Sequence, residues 1–178
     1  MTAEPSAIAT RPAIEADMPA IAELGARVFG PGRFARTAYR VREGTPDVSA
    51  FCRVATMGDR LVAAIRMTEI AIGEQGGALL LGPLAVDPDF ANQGHGRRLI
   101  AESAAAAREA GRQLVLLVGD MPYYGRLGFI AVPKGQIEMP GPVDPARLLA
   151  LELQEGALER FRGSVVGIAQ PNGEAPRS

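Results

Sequence analysis

The segment FANQGHGRRLI, Phe90 to Ile100, places Gly94 and Gly96 one residue apart at the entrance to a helical stretch. Backbone N–H groups at a helix start have no intrahelical partner, and the helix dipole adds partial positive charge there. Glycine lets an anion approach that backbone with no Cβ in the way, so the segment suits phosphate binding. The pair lacks the third glycine of a dinucleotide fingerprint and the Gly-Lys-Ser/Thr ending of a nucleotide-triphosphate loop. Taken alone, these residues read first as a plain glycine turn before a helix.

Other chemistry-bearing residues are sparse. One cysteine, Cys52, and one histidine, His95, exclude a disulfide framework and a zinc site of Cys and His ligands within one chain. Cys52 lies in an apparent strand and reads as a buried small hydrophobe. A Cys52–His95 catalytic pair would leave the glycines around His95 unexplained.

The elements that must position the glycine loop follow from the apolar pattern. ATRPAI reads as a first strand and EADMPAIAELGARVF as an amphipathic helix, with Asp17 as N-cap and Pro19 in the first turn. Gly30, Pro31 and Gly32 break it, and FARTAYRVREG is a weaker helical stretch ending at Gly44. AFCRVATM and RLVAAIRMTEIAI form a hairpin about Gly58-Asp59, and after a turn at Gly73 to Gly77 the near-continuous apolar run Ala78 to Val86 is a buried third strand. The loop then leads into a helix from about Gly96 to Ala110, ended by Gly111, and QLVLLV follows as a parallel buried strand. Strand, glycine loop, helix, strand is a crossover unit. YYGRLGF is a short helix running into a strand at FIAV; RLLALEL is a final strand, GALERF a turn of helix, and the rest a polar tail.

The 178 residues suit a single α/β (α+β) domain, 1–165, with a flexible tail at 166–178. With 47% hydrophobic and 22% charged residues the chain builds a core, and its formal charge of −1 carries no signature of a nucleic-acid or membrane binder. Only Lys134 among the 19 basic residues is a lysine. The N-terminus has no secretory pattern and no window approaches a membrane span, so a cytoplasmic location is expected.

Together, LGPLAVDPDFANQGHGRRLI, a strand, and YYGRLGF resemble the GNAT superfamily of acyl-CoA-dependent N-acetyltransferases. Leu84, Val86 and Pro88 match its Leu-x-Val-x-Pro strand end, Gly94 and Gly96 its loop glycines, Leu99 and Ile100 its apolar helix, and Tyr124, Gly128 and Phe129 its Tyr-x-x-x-Gly-Phe. One position departs: Ala91 stands where the family has Arg or Gln. Asn92, Arg97 or Arg98 are the candidates to replace that side chain at a phosphate.

The resemblance implies a mixed, twisted sheet of about seven strands with helices on both faces, two parallel strands splaying into an acyl-CoA cleft. It implies acetyl-CoA as cosubstrate, bound by the backbone of Leu84, Ala85 and Val86 and by the loop Ala91, Asn92, Gln93, Gly94, His95, Gly96 and Arg97. An N–H near Leu84 would polarise the thioester carbonyl, and Tyr124 would serve as general acid to the departing thiolate; Tyr123 reads as packing. Transfer to a primary amine would be direct, with no covalent enzyme intermediate. Glu69 and Asp120 are candidate bases, against an outward strand residue and a helix N-cap, and a water chain is the other route. A longer-chain acyl donor, on CoA or a carrier protein, and a non-catalytic acyl-CoA sensor are the rival functions. The amine acceptor, set by the first two helices and GQIEMPGPVDP, carries no recognisable code. No metal is expected, and RLLALEL either completes its own sheet in a monomer or pairs across a homodimer.

Overall fold

The computed structural model describes residues 7–30 and 37–169, with backbone only at Thr37. Nine strands form one mixed sheet: β1 (Ile8–Pro12), β2 (Arg53–Met57), β3 (Arg60–Ile72), β4 (Gln75–Val86), β5 (Leu114–Val118), β6 (Ile130–Ala131), β7 (Ile137–Glu138), β8 (Leu148–Glu152) and β9 (Gly163–Gly167). The main path runs β1-β2-β3-β4-β5-β8-β6, with β9 bridging β3 and β7. β1 to β4 are an antiparallel meander, whereas β4 and β5 run parallel, as the intervening helix requires.

Helices cover both faces. α3 (His95–Glu109) buries Leu99, Ile100, Ala104 and Ala107 against Ala63, Ile65, Leu79 and Val115. On the other face α1 (Met18–Phe29) seats Leu24 on Val54, Ala64 and Ala85, and α2 (Thr37–Arg42) seats Val41 beside Ile70 and Leu80. α4 (Met121–Tyr124) is one short turn after β5. From Ala63 onward, alternation along β3 assigns its odd residues to the α3 face and its even residues to the α1 and α2 face.

Several local expectations change. A short 3₁₀ turn at Glu15–Asp17 precedes α1, and Asp17 sits at the N-cap position without capping. Its carboxylate instead accepts from Arg11 and the Ile14 N–H, and the Arg11 bond holds it below the usual carboxylate range. The break at Pro31 and Gly32 and the start of the second helical stretch lie outside the described residues. β4 begins at Gln75, so the turn before it narrows to Gly73 and Glu74. β8 pairs with β5 and β6 of its own chain.

The short strands β7 and β9 have no counterpart in the sequence reading, and β9 continues past residue 165, where the tail was expected to begin. β9 forms because β2 covers only the first half of β3, leaving Ile70 to Ile72 to pair with Val165 to Gly167. Gly73 and Gly163 allow the crossing: a Cβ on Gly73 would lie 1.9 Å from the Arg162 carbonyl oxygen.

Asp87 ties β4 to its surroundings. It is buried, accepts from the Asp89 N–H at 2.9 Å, and pairs with Arg60 at 3.0 Å and Arg27 at 3.3 Å. The Asp89 N–H and the two guanidiniums hold its carboxyl below the usual range. Such a contribution is complete above the ordinary value of about 3.9 and fades as pH falls through the depressed native value. Asp87→Ala should therefore cost about 1–3 kcal/mol at pH 7 by urea denaturation, with the difference from wild type shrinking towards pH 3.

Candidate functional site

β4 and β5 separate. Their parallel pairing stops at Leu80 and Leu116, while β4 runs on to Val86 and β5 to Val118. Beyond that point β4 keeps β3 on one side, and on the other Leu81 to Val86 have no strand partner among the described residues. The register drives the splay: Ile65 faces Leu84 but Met67 faces Leu81, so β4 carries an extra residue at Gly82-Pro83. Gly82 has φ +128° and the peptide to Pro83 is cis. A proline donates no N–H and a bulge re-aims the strand, so the pair marks where the ladder opens. A Gly-Pro inside an apolar run is the sequence signal for this.

A cavity of about 820 Å³ occupies the gap. Ile65, Leu81 and Leu117 line it from the α3 face, and Ala64, Arg66 and Ala85 from the α1 and α2 face. It therefore reaches from the α1 and α2 face into the gap between the two strands. Leu84, Ala85 and Tyr124 all line it, whereas Val86 and the loop from Ala91 to Arg97 do not.

That loop lies at the start of α3. Ala91, Asn92 and Gln93 are exposed, with Asn92 and Gly94 left-handed at φ +61° and +84°. Gly94 is the N-cap and offers no side-chain cap, and the first turn of α3 holds no acidic residue. Its amides thus keep their affinity for an anion. Gly96 is buried: a Cβ there would meet Leu84 Cδ2 and the Tyr123 hydroxyl at 3.4 Å and Val86 Cγ2 at 3.5 Å. The helix start is pressed onto the end of β4, which joins the glycine loop to the mouth of the cavity. Arg97 is exposed on the Gly94 side of the helix; Arg98 reaches back to the Ile8 carbonyl at 3.4 Å. His95 stacks edge-on to Phe90 and shares a 3.3 Å hydrogen bond with Gln93.

Tyr124 packs edge-on against Phe129 and Tyr123. Burial pushes its phenol up to about 12, Tyr123 and Asp120 adding to the shift and Arg147 opposing it. It is protonated throughout the physiological range and so keeps its O–H to donate. Tyr123 is 42% exposed, its hydroxyl over Gly96. Gly119 was missed in the sequence: a Cβ there would come within 2.5 Å of the Tyr124 ring, so the ring's seat depends on that glycine.

The two acidic candidates lie elsewhere. Glu69 is bound by the Arg112 guanidinium and does not line the cavity. Asp120 takes the N-cap position of α4 without a side-chain bond to it, and pairs with Arg147 at 3.4 Å in solvent. Cys52 is buried, its sulfur accepting from the Ser49 and Met67 amides. Among the described residues no group of three or more His, Cys, Asp or Glu is placed to hold a metal, and no helix is long and apolar enough to cross a membrane.

A family model described as an acetyltransferase (GNAT) domain matches residues 49–131, from the start of the meander through the glycine loop to β6. Residues 49–131 thus match a GNAT acetyltransferase domain. Solved GNAT structures share its fold. A GNAT family N-acetyltransferase of Escherichia coli, YhbS, in complex with CoA superposes with TM-score 0.78 at 24% identity, over 98% of this chain and 97% of that one. A GNAT family acetyltransferase of Brucella melitensis in complex with acetyl-CoA gives 0.60 at 25% identity, over 85% and 97%. The ribosomal-protein-S18-alanine N-acetyltransferase of Escherichia coli gives 0.59 at 19% identity, over 84% and 96%. No curated protein matches the chain.

Proposed function

We propose that this GNAT domain transfers an acetyl group from acetyl-CoA to a primary amine by direct attack. The observation that carries the reading is the opening between β4 and β5, where Leu81 to Ala85 of β4 and Tyr124 border one cavity in the gap between the strands. The relatives solved with CoA or acetyl-CoA support this choice of donor.

The residues present fit such a donor. The uncapped amides from Gly94 onward would take the pyrophosphate, and the missing side chain at Gly96 lets that helix start pack close to Leu84 and Val86 at the end of β4. Ala91 adds no charge there, which leaves Arg97 as the nearby cation. The free edge at Leu84, Ala85 and Val86 would pair with the amides of the donor's arm, and the Leu84 N–H would stabilise the carbonyl oxygen as it gains charge. The amine nitrogen bonds to the carbonyl carbon, the carbon–sulfur bond breaks, and the electron pair leaves on sulfur. Tyr124 donates a hydrogen bond to that sulfur. With its phenol at about 12 and a thiol near 8.5, full proton transfer would be uphill by about 5 kcal/mol, so the hydrogen bond itself does the stabilising. Neither Glu69 nor Asp120 is placed to take the amine proton, which leaves water as the route.

Thermal shift with acetyl-CoA, free CoA and a long-chain acyl-CoA tests the donor. Ligand at about 100 times its dissociation constant adds about 2.7 kcal/mol, equivalent to roughly 5–11 °C for a domain of this size. The shift should persist in Gly96→Ala, whose Cβ makes only contacts of 3.4 Å or more, and vanish in Gly96→Val. No shift in the wild type with any of the three donors would end the acyltransferase reading. A response to the long-chain donor alone would replace acetyl by a longer acyl group.

A further inference from the structure

The cavity's far end, on the α1 and α2 face, is cationic. Its described lining holds four arginines, Arg40, Arg42, Arg66 and Arg147, against two aspartates, Asp47 and Asp144. Asp144 is engaged in capping the Ala146 N–H at 2.9 Å. Arg147 faces Asp120, outside the cavity. Arg42 lies against the β4 bulge, its Nη2 2.8 Å from where a Cβ of Gly82 would be.

Arg66 is the most informative of the four. It is an even-numbered residue of β3, directly beside the register shift that opens the cleft, and its side chain is 19% exposed. Nη2 donates to Thr45 Oγ1 and to the Pro46 carbonyl, both at 3.2 Å. Among the described residues its one carboxylate neighbour, Asp47, stands 3.9 Å away and is 63% exposed, and the Arg66 Nε is buried with no hydrogen-bond partner. A buried guanidinium N–H left unsatisfied is costly and is normally matched by an anion. These arginines are not placed for the donor's phosphates, because the glycine loop lies at the α3 end and none of its residues lines the cavity.

We infer that the acceptor is an amine that also carries an oxyanion, a carboxylate or phosphate, held by the Arg66 guanidinium beside the β3–β4 bulge while its amino group reaches Leu84 and Tyr124. The inference rests on the acyltransfer reading for the amine's role but not for the anion's binding. A guanidinium fork suits either oxyanion through paired N–H donors, whereas an uncharged amide or a second ammonium would leave the Arg66 guanidinium without an anion.

The test uses matched pairs. Glycine, the ω-amino carboxylates up to 6-aminohexanoate, the common L-amino acids and O-phosphoethanolamine are each compared with the neutral carboxamide or amino alcohol and with the corresponding diamine. Binding to the protein alone is read by saturation-transfer NMR, and acetylation by release of CoA. At least one anionic member should bind and be acetylated with kcat/KM about tenfold to a hundredfold above its neutral partner. Whether the favoured member is a carboxylate or the phosphate identifies the oxyanion. Arg66→Gln should bring that ratio close to one while leaving the acetyl-CoA thermal shift intact, and Arg66→Lys should fall between. Failure of every anionic member to bind, or neutral and anionic partners that bind and react equally in the wild type, would overturn the inference without recourse to a variant. A chain that binds the anions but not acetyl-CoA would overturn the acyltransferase reading instead.

Discussion

Tyr124→Phe is expected to lower kcat by about a hundredfold while leaving the dissociation constant for acetyl-CoA unchanged. General acids contribute about 10²–10⁴ in rate, and the low end applies because a phenol at about 12 is a weak acid for a thiol near 8.5. The ring should stay in place in the variant, since its seat is apolar: Phe129 edge-on at 5.6 Å between centroids, and Gly119 beneath it. What is lost is one hydrogen bond to developing negative charge. The pH profile offers a second reading. A group titrating near 12 produces no alkaline fall in activity between pH 7 and 10, so any such limb in the wild type must belong to another group. Steady-state kinetics with donor binding by calorimetry would decide the matter; unchanged kcat would remove Tyr124 from the chemistry, and a weakened donor affinity would make it a binding residue.

The largest effect on stability is expected at Gly73, far from the cleft. Its φ of +56° costs a residue with a Cβ about 1–2 kcal/mol, and the Cβ of Gly73→Ala would sit 1.9 Å from the Arg162 carbonyl oxygen, where only backbone can move. Overpacking typically adds about 1–3 kcal/mol, so a total of about 2–5 kcal/mol follows. Gly76→Ala is the control: nothing lies within 4 Å of its Cβ position and its φ is not positive. Urea denaturation of the two variants should separate them clearly. Equal stabilities would mean that the crossing of β9 over the β3–β4 turn is not held as described.

What was legible in the sequence follows the reach of each signal. α3 was readable to within a residue at its start because glycines, an apolar stripe and Gly111 are all local to it. Leu84, Gly94, Gly96 and Tyr124 were singled out by the resemblance of one segment to the family's motifs; Leu84 and Tyr124 line one cavity, and Gly96 packs against Leu84. β9 was not legible: GSVVG has two apolar residues and two flanking glycines, and it becomes a strand only because β3 outruns β2. Arg66 was passed over because a lone arginine in a strand reads as solvent-facing, and only the bulge of β4 opposite it, just past the end of the β2 pairing at Ile65, opens the enclosed space that it lines. Gly119 had no signal at all, since its role is to be overlain by a ring five residues later in the chain. Glu69 was a reasonable candidate base by strand position, and Arg112, brought in from the end of α3, is what occupies it.

The partition of β3 between two neighbours has a practical side. β2 guards its first half and β9 its last three residues, while in between Ser49 and Ile168 reach the carbonyls of Met67 and Glu69. A chain shortened before Gly163 would expose Ile70 to Ile72 as an open, apolar strand edge, the kind of template on which a second molecule adds. β9 thus acts as a guard against self-association, and a fusion partner or affinity tag belongs after it.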